Sequence, residues 1–198
     1  MSKISSSESY VIWEEIIGKA RLEDGREPLF RGYFAATIFA FENLRQGLSA
    51  KLAKELAGSG LEESALKKII AESEHNERLV SDAAADIKAT LDRDSACNSP
   101  LEVFLFYKGF AALQSHRLAN HLWLKGQKLL ALLIQSHVSN CFGIDIHPAA
   151  KIGRGIMLDH ATGLVIGETA IVGDAVSIMQ SVTLGGTGKE SGDRHPKI

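Results

Sequence analysis

The chain has 198 residues, a formal charge of -2 at pH 7 from 22 Lys and Arg against 24 Asp and Glu, and 45% apolar residues. That suffices for a real core in one domain or two small ones, and so even a charge balance gives no electrostatic footing for nucleic acid or an anionic membrane. Cys97 and Cys141 are too few for a disulfide framework and read as free thiols in a reducing compartment.

The first residues lack the charged start and apolar run of a secretory signal. The longest apolar stretch, Leu129 to Ile134, is far too short to cross a bilayer, so the cytoplasm is the expected location. Helical spacing begins at Tyr10 to Ala20 and stops at Gly25 and Pro28. A longer run follows from Phe30 to about Leu56 and ends at Gly58-Ser59-Gly60. Glu62 to Ser73 and Asn76 to Leu91 predict two shorter helices with charged outer faces. After the polar loop from Asp92 to Asn98, Ser99, Pro100 and Glu102 form a capping box with proline at the first helical position. That helix is expected to run to about Trp123, and another from Gln127 to about Val138.

Near Gly143 the period changes. Ile146, Ile152, Leu158, Leu164, Ala170, Val176 and Val182 recur every sixth residue, with glycines at 155, 167, 173 and 185 in a second phase. A six-residue repeat predicts a solenoid of short strands, each coil burying its face against its neighbours. The fold class is therefore α+β, with an α-helical domain over 1–140 and a parallel β-helix over 141–198. The register is unfinished at Ile198 and no terminal cap is visible, which predicts a chain truncated from a longer product.

Among seven histidines, His75, His116, His121 and His137 lie in helical segments and read as packing or surface residues. His147, His160 and His195 interrupt the repeat or flank it, where a regular coil has no use for an imidazole. Asp159-His160 directly follows a rung, and Asp145 is placed to approach that imidazole from the coil below, as a base and its orienting carboxylate would be. Three histidines also admit a metal reading, which their irregular spacing disfavours. Gly185-Gly186-Thr187-Gly188-Lys189 lacks P-loop spacing and reads as a glycine-rich excursion that lets backbone approach a ligand. Arg194 offers a forked donor for a carboxylate.

Asp145-Ile-His-Pro-Ala-Ala-Lys-Ile-Gly-Arg-Gly-Ile-Met-Leu-Asp-His-Ala-Thr-Gly163 resembles the signature of the serine acetyltransferases. Ser181-Val-Thr-Leu-Gly-Gly-Thr-Gly-Lys189 and Gly192-Asp-Arg-His-Pro-Lys197 are similar to two further segments of that family. Asp92-Arg-Asp94 and Tyr107-Lys-Gly-Phe-Ala-Ala-Leu-Gln114 extend the resemblance into the helical half. It implies a left-handed β-helix, which the general preference for right-handed crossovers would not suggest. It implies trimers formed through the β-helices and hexamers formed through the helical domains. The implied reaction moves the acetyl group of acetyl-CoA to the hydroxyl of L-serine without a metal. His160 is the implied general base, oriented by Asp145, and His195 binds substrate or steadies the oxyanion. By the same resemblance Arg194 is implied to grip the serine carboxylate, and Asp159 and Asp94 to lie about its amino and hydroxyl groups. Gly185, Gly186, Thr187 and Gly188 are the implied contacts of acetyl-CoA. L-Cysteine is the implied inhibitor at the serine site, and O-acetylserine sulfhydrylase the partner of a C-terminal tail that this chain lacks. One departure is Ser95, where many relatives have proline after the aspartate, leaving that loop freer.

Overall fold

The computed structural model describes residues 3–58, 61–71, 76–189 and 191–198, and the chain divides into two compact units, Met1–Phe106 and Tyr107–Ile198. His75, the ends expected at Gly60 and Ser73, and parts of the loops around them lie outside the described residues. No described helix is long and apolar enough to cross a membrane.

The first unit is built from α1 (Lys3–Arg26), α2 (Phe30–Phe34), α3 (Leu44–Leu56), α4 (Glu63–Ala71), α5 (Asn76–Arg93) and α6 (Pro100–Phe106). The run expected from Phe30 to Leu56 is interrupted: α2 passes into a π-helical turn, Ala35–Phe39, and Asn43 starts a new helix. The Asn43 side-chain oxygen accepts from the Gln46 N–H at 3.0 Å, the N-cap role that makes asparagine a helix starter. Trp13, Ile16, Phe34, Ile38, Leu48, Leu52 and Ile87 are buried together, with Trp13 edge-on to Phe104 at 5.6 Å. The expected cap of α6 is present: the Ser99 hydroxyl donates to Glu102 at 2.9 Å, and Glu102 reaches back to the Asn98 N–H at 3.2 Å.

The single helix expected from Pro100 to Trp123 is two. Tyr107 is extended (φ -84, ψ 104), and α7 (Lys108–Leu124) starts after it. The compact units part there, while the change from helix to strand falls between Phe142 and Ile144. The second unit holds α7, α8 (Lys128–Phe142), and strands β1 (Ile144–Ile146), β2 (Lys151–Ile152), β3 (Met157–Leu158), β4 (Leu164–Ile166), β5 (Ile171–Val172), β6 (Ser177–Ile178) and β7 (Thr183–Leu184). The strands pair in parallel as β1-β4-β7, β2-β5 and β3-β6, the three faces of a parallel β-helix.

The helices belong with the coil because they finish its open edge. Arg117 donates to the Gly153 carbonyl at 2.8 Å, and Asn120 to that of Pro148 at 2.7 Å. These first-coil carbonyls have no earlier strand to bond, so α7 does for them what a terminal cap does for any solenoid. His116, on the same helix, is fully buried, and burial pushes its imidazole down to about 3, leaving it a neutral packing residue.

The repeat itself is not one uninterrupted ladder. Ile146 pairs with Ile166, Ile152 with Val172 and Leu158 with Ile178, each twenty residues on, whereas Ile166 pairs with Leu184 after eighteen. Eighteen residues are three hexapeptides, so the first coil carries two extra residues, inserted between Leu158 and Ile166. Each strand turns residues i and i+2 inward, as Ile144 and Ile146 show around the outward Asp145. Leu164, Ala170, Val176 and Val182 therefore continue the row of Ile144, Ala150 and Ile156, not that of Ile146.

Candidate active site

Two departures from the eighteen-residue coil carry most of the candidate side chains. The first is the two-residue insertion. The Asp159 N–H still bonds the Ile178 carbonyl at 2.8 Å, and the Thr162 carbonyl accepts from Ser181 at 2.8 Å, so both flanks stay on the coil. Between them His160 (φ 51) and Ala161 (φ 57) take left-handed conformations that cost about 1–2 kcal/mol per residue. The detour lifts the His160 imidazole clear: its side chain is 76% exposed, with Nε2 3.8 Å from Asp159 Oδ1.

The start of α7 holds this bulge from behind. Gly109 lies so close to the Leu158 carbonyl that any Cβ there would overlap it. Lys108 Nζ donates to the Thr162 hydroxyl on the other flank. Neither residue could be singled out from sequence except as part of the Tyr107-Lys-Gly-Phe stretch.

The second departure is a loop. Ile171 pairs with Lys197, twenty-six residues on, so eight extra residues leave the coil after β7. Gly185, Gly186, Thr187 and Gly188 lie exposed on that excursion, which ends at the half-buried Arg194 and His195. Thr169 is its anchor: the Oγ1 atom accepts from the backbone N–H groups of Arg194 and His195, each at 3.1 Å, and lies 2.8 Å from His195 Nδ1. The Thr169 N–H also donates to Nδ1, which makes that nitrogen an acceptor and puts the proton of neutral His195 on Nε2. The ring sits against Gly167, where a Cβ would collide with it. Arg194 donates to Glu168 at 2.9 Å and holds the Glu168 carboxyl below the usual range.

His147, grouped above with the unexplained histidines, has a structural use. Its Nδ1 accepts from the Ala149 N–H at 3.1 Å and its ring stands edge-on to Trp123 at 5.1 Å. Burial lowers its pKa, with Glu168 and Asp145 acting in the opposite sense. Asp145 faces outward from β1 and accepts from Gln135 Nε2 at 2.6 Å; among the described residues it has no hydrogen bond to His160. His160 stands at the corner between β3 and β4, and His195 at the corner between β4 and β5, with no hydrogen bond between them among the described residues. Asp94 belongs to the other unit, where its carboxylate closes a turn by accepting from the Ala96 N–H at 2.9 Å.

Comparison with known proteins gives these features a family. The model of the serine acetyltransferase N-terminal region matches residues 12–115. The serine acetyltransferase of Salmonella typhimurium is 48% identical over 189 residues, 95% of this chain and 69% of the relative. That of Escherichia coli K12 is 45% identical over 98% of this chain and 72% of the relative, while serine acetyltransferase 4 of Arabidopsis thaliana is 50% identical but spanned only to 53%. The Vibrio cholerae serine acetyltransferase structure superposes with a TM-score of 0.90 at 48% identity, covering 94% of this chain and 72% of that one. A soybean serine acetyltransferase solved with serine gives 0.91 at 44%, covering 96% and 79%. A serine acetyltransferase solved with cysteine gives 0.91 at 46%, covering 94% and 78%. The chain belongs to the serine acetyltransferase family, acyltransferase enzymes of cysteine biosynthesis.

Proposed function

We propose that the full-length protein transfers the acetyl group of acetyl-CoA to the hydroxyl of L-serine, giving O-acetyl-L-serine and CoA. The observation that carries this reading is the exposed His160 imidazole, raised on its bulge beside Asp159. His160 takes the proton of the serine hydroxyl as its oxygen attacks the thioester carbonyl in a ternary complex. The tetrahedral oxyanion collapses, the C–S bond breaks, and the CoA thiolate leaves as a stable anion that recovers the proton from the imidazolium. Asp145 orients His160 and stabilises its charged form. His195 steadies the oxyanion.

A zwitterionic substrate needs one cation and one anion beside the base. Arg194 supplies a fork for the carboxylate, and Asp159 and Asp94 receive the ammonium and hydroxyl groups. The backbone of Gly185, Gly186, Thr187 and Gly188 approaches acetyl-CoA. L-Cysteine, the ligand of one solved relative, shares serine's backbone charges and competes for the same site.

His160 and His195 stand at different corners of one chain, which supports a site completed by a neighbouring copy in a trimer. The coil is left-handed on this reading, two trimers form a hexamer, and a C-terminal tail carries the contact with O-acetylserine sulfhydrylase in the cytoplasm. The test is thiol release from acetyl-CoA by the full-length protein. Release that depends on L-serine, is slower with other hydroxyl compounds and is competed by L-cysteine is expected. Release indifferent to serine would sink the reading.

A further inference from the structure

Asp145 occupies the outward position of β1, between the buried Ile144 and Ile146. Core packing fixes its backbone but not its carboxylate. A short side chain on a sheet surface takes the rotamer its hydrogen bonds select. Its hydrogen bond here comes from helix α8: Gln135 Nε2 donates to Oδ1 at 2.6 Å across ten residues of sequence. The donor stands on a packed helix. Gln135 is half-buried, and its neighbours on the inner face of α8, Ala131, Ile134 and Val138, are buried.

The alternative partner for this carboxylate is close. His147, two residues along the chain, is near enough for the Asp145 charge to act on its ring. An Asp145 free to turn would divide its time between His147, which has a structural task, and His160, which has the chemical one. A neutral amide is suited to the choice, because it fixes one oxygen without titrating and without neutralising the charge that the imidazolium needs. Oδ2 takes no hydrogen bond among the described residues and remains for an imidazole.

We infer that Gln135 is a positioning residue of the acetyl transfer: by holding Oδ1 of Asp145 it commits that carboxylate to His160 and away from His147. This rests on the roles proposed above for His160 and Asp145. It also gives α8 a part in the chemistry, parallel to the grip of α7 on the bulge through Gly109 and Lys108.

The test is a double-mutant cycle in the full-length enzyme. Gln135→Met keeps the volume and removes the donor. Losing a hydrogen bond to a charged group is expected to lower kcat about tenfold, with both KM values and the melting temperature unchanged. In an Asp145→Asn background the same substitution is expected to cost almost nothing, because the carboxylate it orients is gone. Should the methionine variant melt early, Gln135→Glu, of the same size but a like charge toward Asp145, replaces it with the same two readings expected.

Full kcat in the single variant overturns the inference. So does a tenfold loss that recurs undiminished beside Asp145→Asn, or a loss carried by KM. If Asp145→Asn itself turns over like the wild type, the role of Asp145 falls and this inference with it. The serine-dependent assay then shows separately whether the reaction stands.

Discussion

The bulge at His160 and the loop ending at His195 are both insertions into one β-helix, of two residues in its first coil and of eight after β7. They are held by different forces. At the bulge, backbone hydrogen bonds to Ile178 and Ser181 fix both flanks, two left-handed residues take the strain, and the start of α7 blocks any retreat. At the loop the coil also fixes the flanks, where Gly167 donates to the Leu184 carbonyl and Ile171 to that of Pro196, but the segment before its return is pinned by one threonine hydroxyl, a ring resting on a glycine and a half-exposed ion pair. The first arrangement has almost no freedom. The second can exchange partners, since Arg194 must release or share Glu168 to receive a carboxylate. A base needs a fixed position relative to the proton it removes, while a grip on substrate has to open and close. The contrast matches the two tasks assigned to the two histidine-bearing segments.

The largest expected effect comes from removing the proposed base without disturbing its support. His160→Asn leaves the bulge intact, because asparagine accepts left-handed φ readily. It is expected to lower kcat by about 100- to 10,000-fold with an unchanged melting temperature. A loss under tenfold would separate the bulge from the chemistry. On the loop, Arg194→Met is expected to raise the serine KM about 10- to 100-fold and leave that for acetyl-CoA alone. Equal changes in both constants would show a loop that collapses as a whole.

Gly109→Ala acts on the support itself. The added methyl meets the Leu158 carbonyl, which is fixed backbone, so α7 and the bulge must separate. Overpacking of this kind is expected to cost about 1–3 kcal/mol in a urea titration. Turnover falls with it, because His160 moves when its flank moves. Stability lost with turnover kept would mean that α7 braces the coil but not the base.

Apolar spacing and caps made the helical half legible in the sequence, and the six-residue repeat the solenoid, yet the register slip stayed hidden. The reason is geometric. Because residues i and i+2 of each strand both face inward, inserting two residues moves one inward row onto the other, and the aliphatic ladder from Ile146 to Val182 reads straight through the break. The break is where His160 sits. Residue types marked His147, His160 and His195 as out of place in a coil, of which His147 proved structural, but nothing in the sequence marks Thr169, Glu168 or Gln135, whose roles come from three-dimensional neighbours. Tyr107 ends one helix and Asn43 begins another inside runs whose apolar spacing continues across them, since periodicity reports which face is buried and not where the backbone turns.

Strain at the bulge can be separated from its consequences by a matched pair. Ala175 turns a corner with φ 60, above Gly155, which turns the same corner one coil earlier, and its side chain is exposed. Ala175→Gly relieves about 1–2 kcal/mol of left-handed strain against about 0.5–1 kcal/mol of added chain entropy in the unfolded state. The melting temperature is expected to rise by a degree or two, with turnover unchanged. Ala161 has nearly the same φ but is fully buried, so Ala161→Gly also forfeits a methyl contact worth about 0.8 kcal/mol. Its melting temperature is expected to stay close to wild type. Its kcat is nevertheless expected to fall several-fold, because glycine beside His160 opens conformations that carry the imidazole off its line to the substrate. Thermal melts paired with turnover on both variants decide the matter: if Ala161→Gly keeps full kcat, the left-handed pair serves only to close the corner, and the base owes its position to α7 alone.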